Sequence, residues 1–204
     1  MSGWYPFNPN LGQVMQTGVD GVSVDQGYIA HFQVSAADAI AASTTGVHAA
    51  IACSTSVTTV TTGFTNPGCP KNVSATAGGT AGDIKAVQVV VAGTNFADEV
   101  ISETLPVFTV DTAGTVVGSK AFKTVTGVTI PAMDGAGATV SIGFGEKLGL
   151  PFKLAHNTVL AAYLNNTKEG TAPTVTTSTA AVDGNTIDLN STLDGHVVDA
   201  YLIV

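Results

Sequence analysis

Residues 139–154 read TVSIGFGEKLGLPFKL. Val140, Ile142 and Phe144 alternate with Thr139, Ser141 and Gly143; Leu148, Leu150, Phe152 and Leu154 alternate in the same way with Lys147, Gly149, Pro151 and Lys153. A period of two gathers the large apolar groups of each run on one face, the pattern of a half-buried strand and not of a helix. Two strands with polar faces outward are therefore expected, over 139–144 and 147–154. The preceding stretch from Lys71 onward carries more of the same, in residues 84–92 (IKAVQVVVA), 100–108 (VISETLPVF) and 121–131 (AFKTVTGVTIP), each short, β-branched or alternating and closed by turn residues. In 84–92, Val87, Val89 and Val91 oppose Ile84, Ala86 and Val90, so both faces are largely apolar and a place between two layers is expected. Pro106 cannot donate to a ladder and marks an edge strand or a bulge.

The pattern continues on both sides of this block. Tyr28, Ala30, Phe32 and Val34 alternate with Ile29, His31 and Gln33, which makes a strand with one apolar face. Ser35 with Asp38 three residues on resembles a capping box, and the Ala-rich run to Ala42 predicts one short helix ending before Gly46. Val47, Ala49, Ile51 and Cys53 then share a strand face, and the turn residues Asn66, Pro67 and Gly68 close that segment. Residues 158–164 (TVLAAYL) predict another strand, 165–179 a polar loop or weak Thr-rich strand, and 197–204 (VVDAYLIV) an apolar strand that ties the C-terminus into a sheet. Turn signals every ten to fifteen residues, without alternating helices, point to an all-β chain. The expected architecture is a β-sandwich or jelly-roll-like domain over 28–204 preceded by an irregular N-terminal arm over 1–27.

Charge excludes one broad class of function. Seven Lys and no Arg face fifteen acidic residues, giving a net charge of -8. Nucleic-acid binding rests on a basic footprint and on bidentate Arg contacts, so no nucleic-acid partner is expected. Only 11% of residues are charged while 45% are hydrophobic, enough for a core and the reverse of a disordered composition. The start, MSGWYPFNPN, has neither a basic n-region nor an apolar h-region, so no signal peptide is expected; no apolar run reaches membrane-spanning length, so no membrane partner is expected either.

No catalytic or cofactor motif is present. His31, His48, His156 and His196 stand on separate segments, and Cys53 and Cys69 lack CxxC spacing, which predicts ordinary histidines and two small thiols in or near a core, with a disulfide the alternative in an oxidising compartment. Asp98, Glu99 and Glu103 form the densest acidic cluster and read as a solvated loop and strand end. Asp183-Gly184-Asn185 and Asp194-Gly195 lack the spaced ligands of a calcium loop, and residues 77–82 (AGGTAG) precede a strand and lack the Lys of a phosphate-binding loop. No catalytic residue, cofactor or metal is expected, and the chain reads as non-enzymatic.

The arm holds the strongest sequence signal for an interface. Trp4, Tyr5, Phe7 and Leu11 sit among Asn, Pro and Gly with no helical or strand period. Burying each large side chain is worth roughly 1.5 to 3 kcal/mol, so they are expected to pack on a neighbouring subunit in a homo-oligomer or back on their own domain.

A series of phrases, NPGCPKNVSATAGG, VISETLPVF, VGSKAFKTVTGVTIP, GFGEKLGLPFKL and VDAYLIV, resembles virion structural proteins of tailed bacteriophages from about Val47 to the C-terminus. The resemblance implies a repeated, non-enzymatic component assembled in the host cytoplasm and resident in the virion. Its partner would be the major capsid protein or another virion protein. A capsid decoration protein is the expectation it favours; a tail or fibre component, or a surface carbohydrate-binding β-sandwich, is the alternative.

Overall fold

The computed structural model describes residues 27–204, together with 15–16, 19–21 and 23–24 of the preceding segment. Trp4, Tyr5, Phe7 and Leu11 lie outside the described residues. The all-β expectation holds: the described chain is built from antiparallel strands, with only two single 3-10 turns, Ala81–Asp83 and Val182–Gly184. Two short strands, β1 (Met15–Gln16) and β2 (Ser23–Val24), pair with each other. The remaining fourteen form three sheets.

The longest strand, numbered β11 in chain order (Ala138–Gly149), organises the largest sheet. One edge of β11 pairs with β6 (Lys71–Gly79), which in turn pairs with β9 (Gly114–Phe122). The other edge is shared between β4 (Ser43–Ala52) in its first half and β15 (Thr186–Asp188) in its second, with β14 (Thr174–Thr176) outside β15. A second sheet runs β5 (Thr58–Val60), β10 (Thr124–Ile130), β7 (Val90–Thr94), β8 (Val100–Thr104). The third runs β13 (Thr167–Lys168), β12 (Val159–Leu164), β16 (Val198–Ile203), β3 (Ile29–Val34).

The apolar faces meet in two clusters. One joins Val73, Ala75, Val140, Ile142 and Phe144 of the large sheet with Val91, Val125, Val128 and Ile130 of the second. The other joins Leu148 and Ile187 with Phe32, Val34, Val198, Ala200 and Leu202 of the third sheet, and takes in Leu150 and Leu154. Leu148, Leu150 and Leu154 are buried as their alternation predicts, and Phe152 is half-buried, but they belong to the smaller cluster and not to the larger one.

Of the two strands expected over 139–144 and 147–154, the first runs on through a bulge to Gly149 as β11, and residues 150–154 of the second lie outside any strand although Leu150 and Leu154 are buried. The register with β6 slips between Phe144 and Leu148, so four steps on β11 match two on β6. Asn72, almost fully buried, fills the irregularity: its Oδ1 accepts from Lys147 N at 3.1 Å and its Nδ2 donates to the Gly118 carbonyl at 3.0 Å. A Cβ on Gly145 would lie 2.6 Å from that Oδ1, so glycine is what lets β11 approach the amide.

Other departures have local causes. Residues 121–131 divide at Lys123 because Ala121 and Phe122 are both buried, which breaks the alternation where the chain leaves the large sheet for the second. In 84–92 only Val90 onward is regular. Leu105 N donates to Val89 O and Phe108 N to Val87 O, a one-residue slip at Pro106 beside edge strand β8, as expected of a proline. Ala49 is exposed although Val47 and Ile51 are buried, because β4 carries an extra residue between the pairs Val140↔Ile51 and Ile142↔His48.

The short helix expected over 35–42 is not formed; the segment makes a single turn. The Ser35 hydroxyl donates to the Asp38 carboxylate at 2.7 Å instead of capping backbone N–H groups, and Asp38 N and Ala39 N both return to Ser35 O. Lys71 Nζ then takes the Ile40 carbonyl at 2.6 Å, and Ala39 is buried in the smaller cluster.

Candidate functional site

In the third sheet, the face opposite the core carries a connected group of polar and aromatic side chains. The pairs Ile29↔Ile203, His31↔Tyr201 and Gln33↔Asp199 set these residues directly opposite one another on β3 and β16. On the far side of β16, Tyr163 of β12 stands opposite Asp199. The inner face is made by Ala30, Phe32, Val34, Val198, Ala200 and Leu202, so alternation alone fixes which residues point outward.

Contacts between the side chains lock the group. His31 stacks on Tyr201 with ring centroids 4.8 Å apart and planes 9° from parallel, and Tyr163 stands at 89° to Tyr201 with centroids 6.0 Å apart. Asp199, nearly buried, receives His31 Nε2 at 2.7 Å and Gln33 Nε2 at 2.8 Å, both on Oδ1. Tyr163, Asp199, Tyr201 and Asn166 line a depression of about 280 Å³. Asn165 and Asn166 have φ of 51° and 59° and form the two-residue loop between β12 and β13, a tight hairpin turn whose left-handed positions Asn tolerates. Asn165 N also donates to the Val197 carbonyl at 2.9 Å, so the rim residue stands on an anchored loop.

A carboxylate holding an imidazole supplies two of the three members of a hydrolytic triad. Here the imidazole contacts Asp199 and Tyr201, and among the described residues no Ser, Thr or Cys side chain is bonded to it. The arrangement offers hydrogen bonds and aromatic faces, which is binding chemistry.

The other residues singled out in the sequence are dispersed. His48 Nδ1 contacts the Ala49 carbonyl at 2.6 Å and its ring meets Phe64 edge-on, His156 is exposed, and His196 pairs with Asp194 at 2.9 Å. Among the described residues no group of three His, Cys, Asp or Glu side chains is placed to hold a metal ion. The acidic cluster is split three ways: Asp98 binds Lys123, Glu99 accepts from Asn95, and Glu103 accepts from Ser119 and Lys120. Asp183 forms an ion pair with Lys120 at 3.1 Å, and Asn185 is buried with its amide shared among the Ser178, Ala181 and Val182 carbonyls.

Cys53 and Cys69 are free thiols. Burial pushes the Cys69 thiol up to about 11, against the opposing pull of the Lys71 ammonium. At neutral pH roughly one part in 10⁴ is thiolate, which makes it a poor nucleophile. Lys71 is buried and its pKa is lowered by desolvation; its ammonium lies 5.0 Å from the centre of the Phe144 ring.

Comparison with protein families, with curated proteins and with solved structures returns no match to this chain.

Sequence reasoning placed His31 and Gln33 on the polar face of their strand but did not single out Asp199 or Tyr201. The signal was there in VVDAYLIV, where Asp199 and Tyr201 alternate with Val198, Ala200 and Leu202. What was missing was the pairing, since His31 and Asp199 lie 168 residues apart.

Proposed function

We propose that the protein is a non-enzymatic structural component of a tailed-bacteriophage particle, a decoration protein seated on the head shell. Support comes first from the run of phage-like phrases between Val47 and the C-terminus. The observation that carries the reading is an apolar corner at the shared end of β3 and β16. Tyr28 and Val204 exchange backbone hydrogen bonds there at 2.9 Å, Ile29 pairs with Ile203, and all four side chains are exposed. Ile29 is 68% exposed in a regular strand; clustered apolar groups of this kind mark protein contact surfaces.

This corner lies immediately after the arm that carries Trp4, Tyr5, Phe7 and Leu11. Arm and corner together supply aromatic and aliphatic anchors for a neighbouring copy or for the major capsid protein, in an assembly where many weak contacts add by avidity. An arginine-free, acidic exterior is also poorly suited to the packaged genome. Deleting residues 1–10 and measuring oligomer mass by sedimentation velocity and occupancy on stripped particles tests the reading. Loss of the oligomer or of particle binding is expected; an unchanged oligomer that rebinds at full occupancy would rule the arm out as an interface.

A further inference from the structure

We infer that the outer face of the β3, β16, β12 sheet is a saccharide-binding site, in which one pyranose ring lodges in the corner between Tyr201 and Tyr163 and hydrogen-bonds to Asp199 and Asn166. The site goes beyond the assembly reading and does not depend on it.

Four observations converge. Two rings held at 89° form an apolar corner, and aromatic faces are what the C–H surfaces of a sugar ring pack against. Tyr201 is held for this purpose: it is 37% exposed, yet His31 stacks on it and is itself fixed by Asp199, so little side-chain freedom remains to be lost on binding. Both contacts to Asp199 use Oδ1, and among the described residues Oδ2 carries no hydrogen bond, although Asp199 lines the depression. That leaves a carboxylate oxygen as an acceptor for hydroxyl donors. Finally, the Asn166 amide and the tyrosine hydroxyls add both donors and acceptors at the rim, the mixture that vicinal hydroxyls require.

Size and charge narrow the ligand class. About 280 Å³ lies at the lower limit of small-ligand pockets, which start near 300 Å³, so one ring is accommodated and a large cofactor is not. A phosphate or carboxylate ligand would meet the Asp199 charge, and among the described residues that line the depression there is no Lys, Lys168 standing opposite Tyr163 on the neighbouring strand. An organic cation is the competing occupant. It is disfavoured because the other lining groups, Tyr163, Tyr201 and Asn166, are neutral and both donate and accept, so they match hydroxyls better than a cation that can only donate. A shallow, single-ring site implies weak binding, with dissociation constants on the order of 1 mM, raised to useful strength only by multivalent display.

The test is titration of the full-length ¹⁵N-labelled chain with the methyl glycosides of glucose, galactose, mannose, rhamnose and N-acetylglucosamine, alongside arginine methyl ester as the cationic probe. Amide shifts confined to β3, β12, β16 and the Asn165–Asn166 loop, saturating with at least one glycoside, are expected. Tyr201→Ala should weaken binding at least tenfold while Tyr201→Phe, which keeps the ring, stays within about threefold; near-identical spectra elsewhere in both variants exclude unfolding as the cause. No saturable shift with any glycoside, a response to arginine methyl ester alone, or equal binding by Tyr201→Ala would each overturn the proposal.

Discussion

Replacing Asn72 by Ala tests how β11 is held to its neighbours. The Asn72 side chain satisfies two backbone groups at once, the Lys147 N–H at 3.1 Å and the Gly118 carbonyl at 3.0 Å, and it is 1% exposed. Truncation removes both partners and leaves the two groups beside a bulge and a close-packed glycine. An unsatisfied buried polar group costs about 1 to 3 kcal/mol, so the two together should cost about 2 to 6 kcal/mol, toward the lower figure if water enters the space. Urea unfolding followed by far-UV circular dichroism measures this as a fall in midpoint at constant slope. Asn190→Ala, at an exposed site, serves as the control and should stay within about 0.5 kcal/mol of the parent. Hydrogen exchange supplies a second, local reading: the Lys147 amide should exchange at least tenfold faster in Asn72→Ala. A stability change under about 0.5 kcal/mol together with unchanged Lys147 protection would refute the claim that this amide holds the irregularity together.

Leu150, fully buried in the smaller cluster, should lose about 2 to 5 kcal/mol on replacement by Ala, whereas Lys153→Ala, at an exposed position, should stay within about 0.5 kcal/mol; equal losses in urea unfolding would show that the alternation was misassigned. Cys69, whose thiol is raised to about 11, should react with iodoacetamide at pH 8 about 100-fold more slowly than an unstructured peptide thiol, and alkylation within tenfold of the peptide rate would contradict its burial. Because the folded pKa lies above the unfolded one, the unfolded chain loses this proton first as pH rises, and stability should fall between about pH 9 and about pH 11 less steeply in Cys69→Ala than in the parent.

Where alternation was strict it told which side chains are buried, but not always that a strand is present: over 150–154 Leu150 and Leu154 are buried and no strand forms. The burial of Leu148 and Leu150, and the outward face of β3, followed from a period of two. What local pattern could not express was register across long separations. The bulge at Gly145 depends on Asn72, 73 positions earlier in the chain, and without that partner Gly-Glu reads as a turn between two strands. The turn over 35–42 was misread for a local reason: the Ser35 hydroxyl bonds the Asp38 carboxylate and so caps no backbone N–H, and the helix the capping pattern suggested does not start. The aromatic and carboxylate face was half legible: its residue types alternate in each strand, but only the pairing of β3 with β16 brings His31 onto Tyr201 and Asp199. Trp4, Tyr5, Phe7 and Leu11, expected at an interface from their composition and lack of period, lie outside the described residues.

The proposal of a head-decorating structural protein is met most directly by gold-labelled antibody to this chain on intact particles of the tailed phage whose genome encodes it, imaged in negative stain. Label spread over the head facets in many copies per particle is the result predicted. Label confined to the tail, its tip or its fibres, or purified particles whose mass spectra lack the chain, would contradict it.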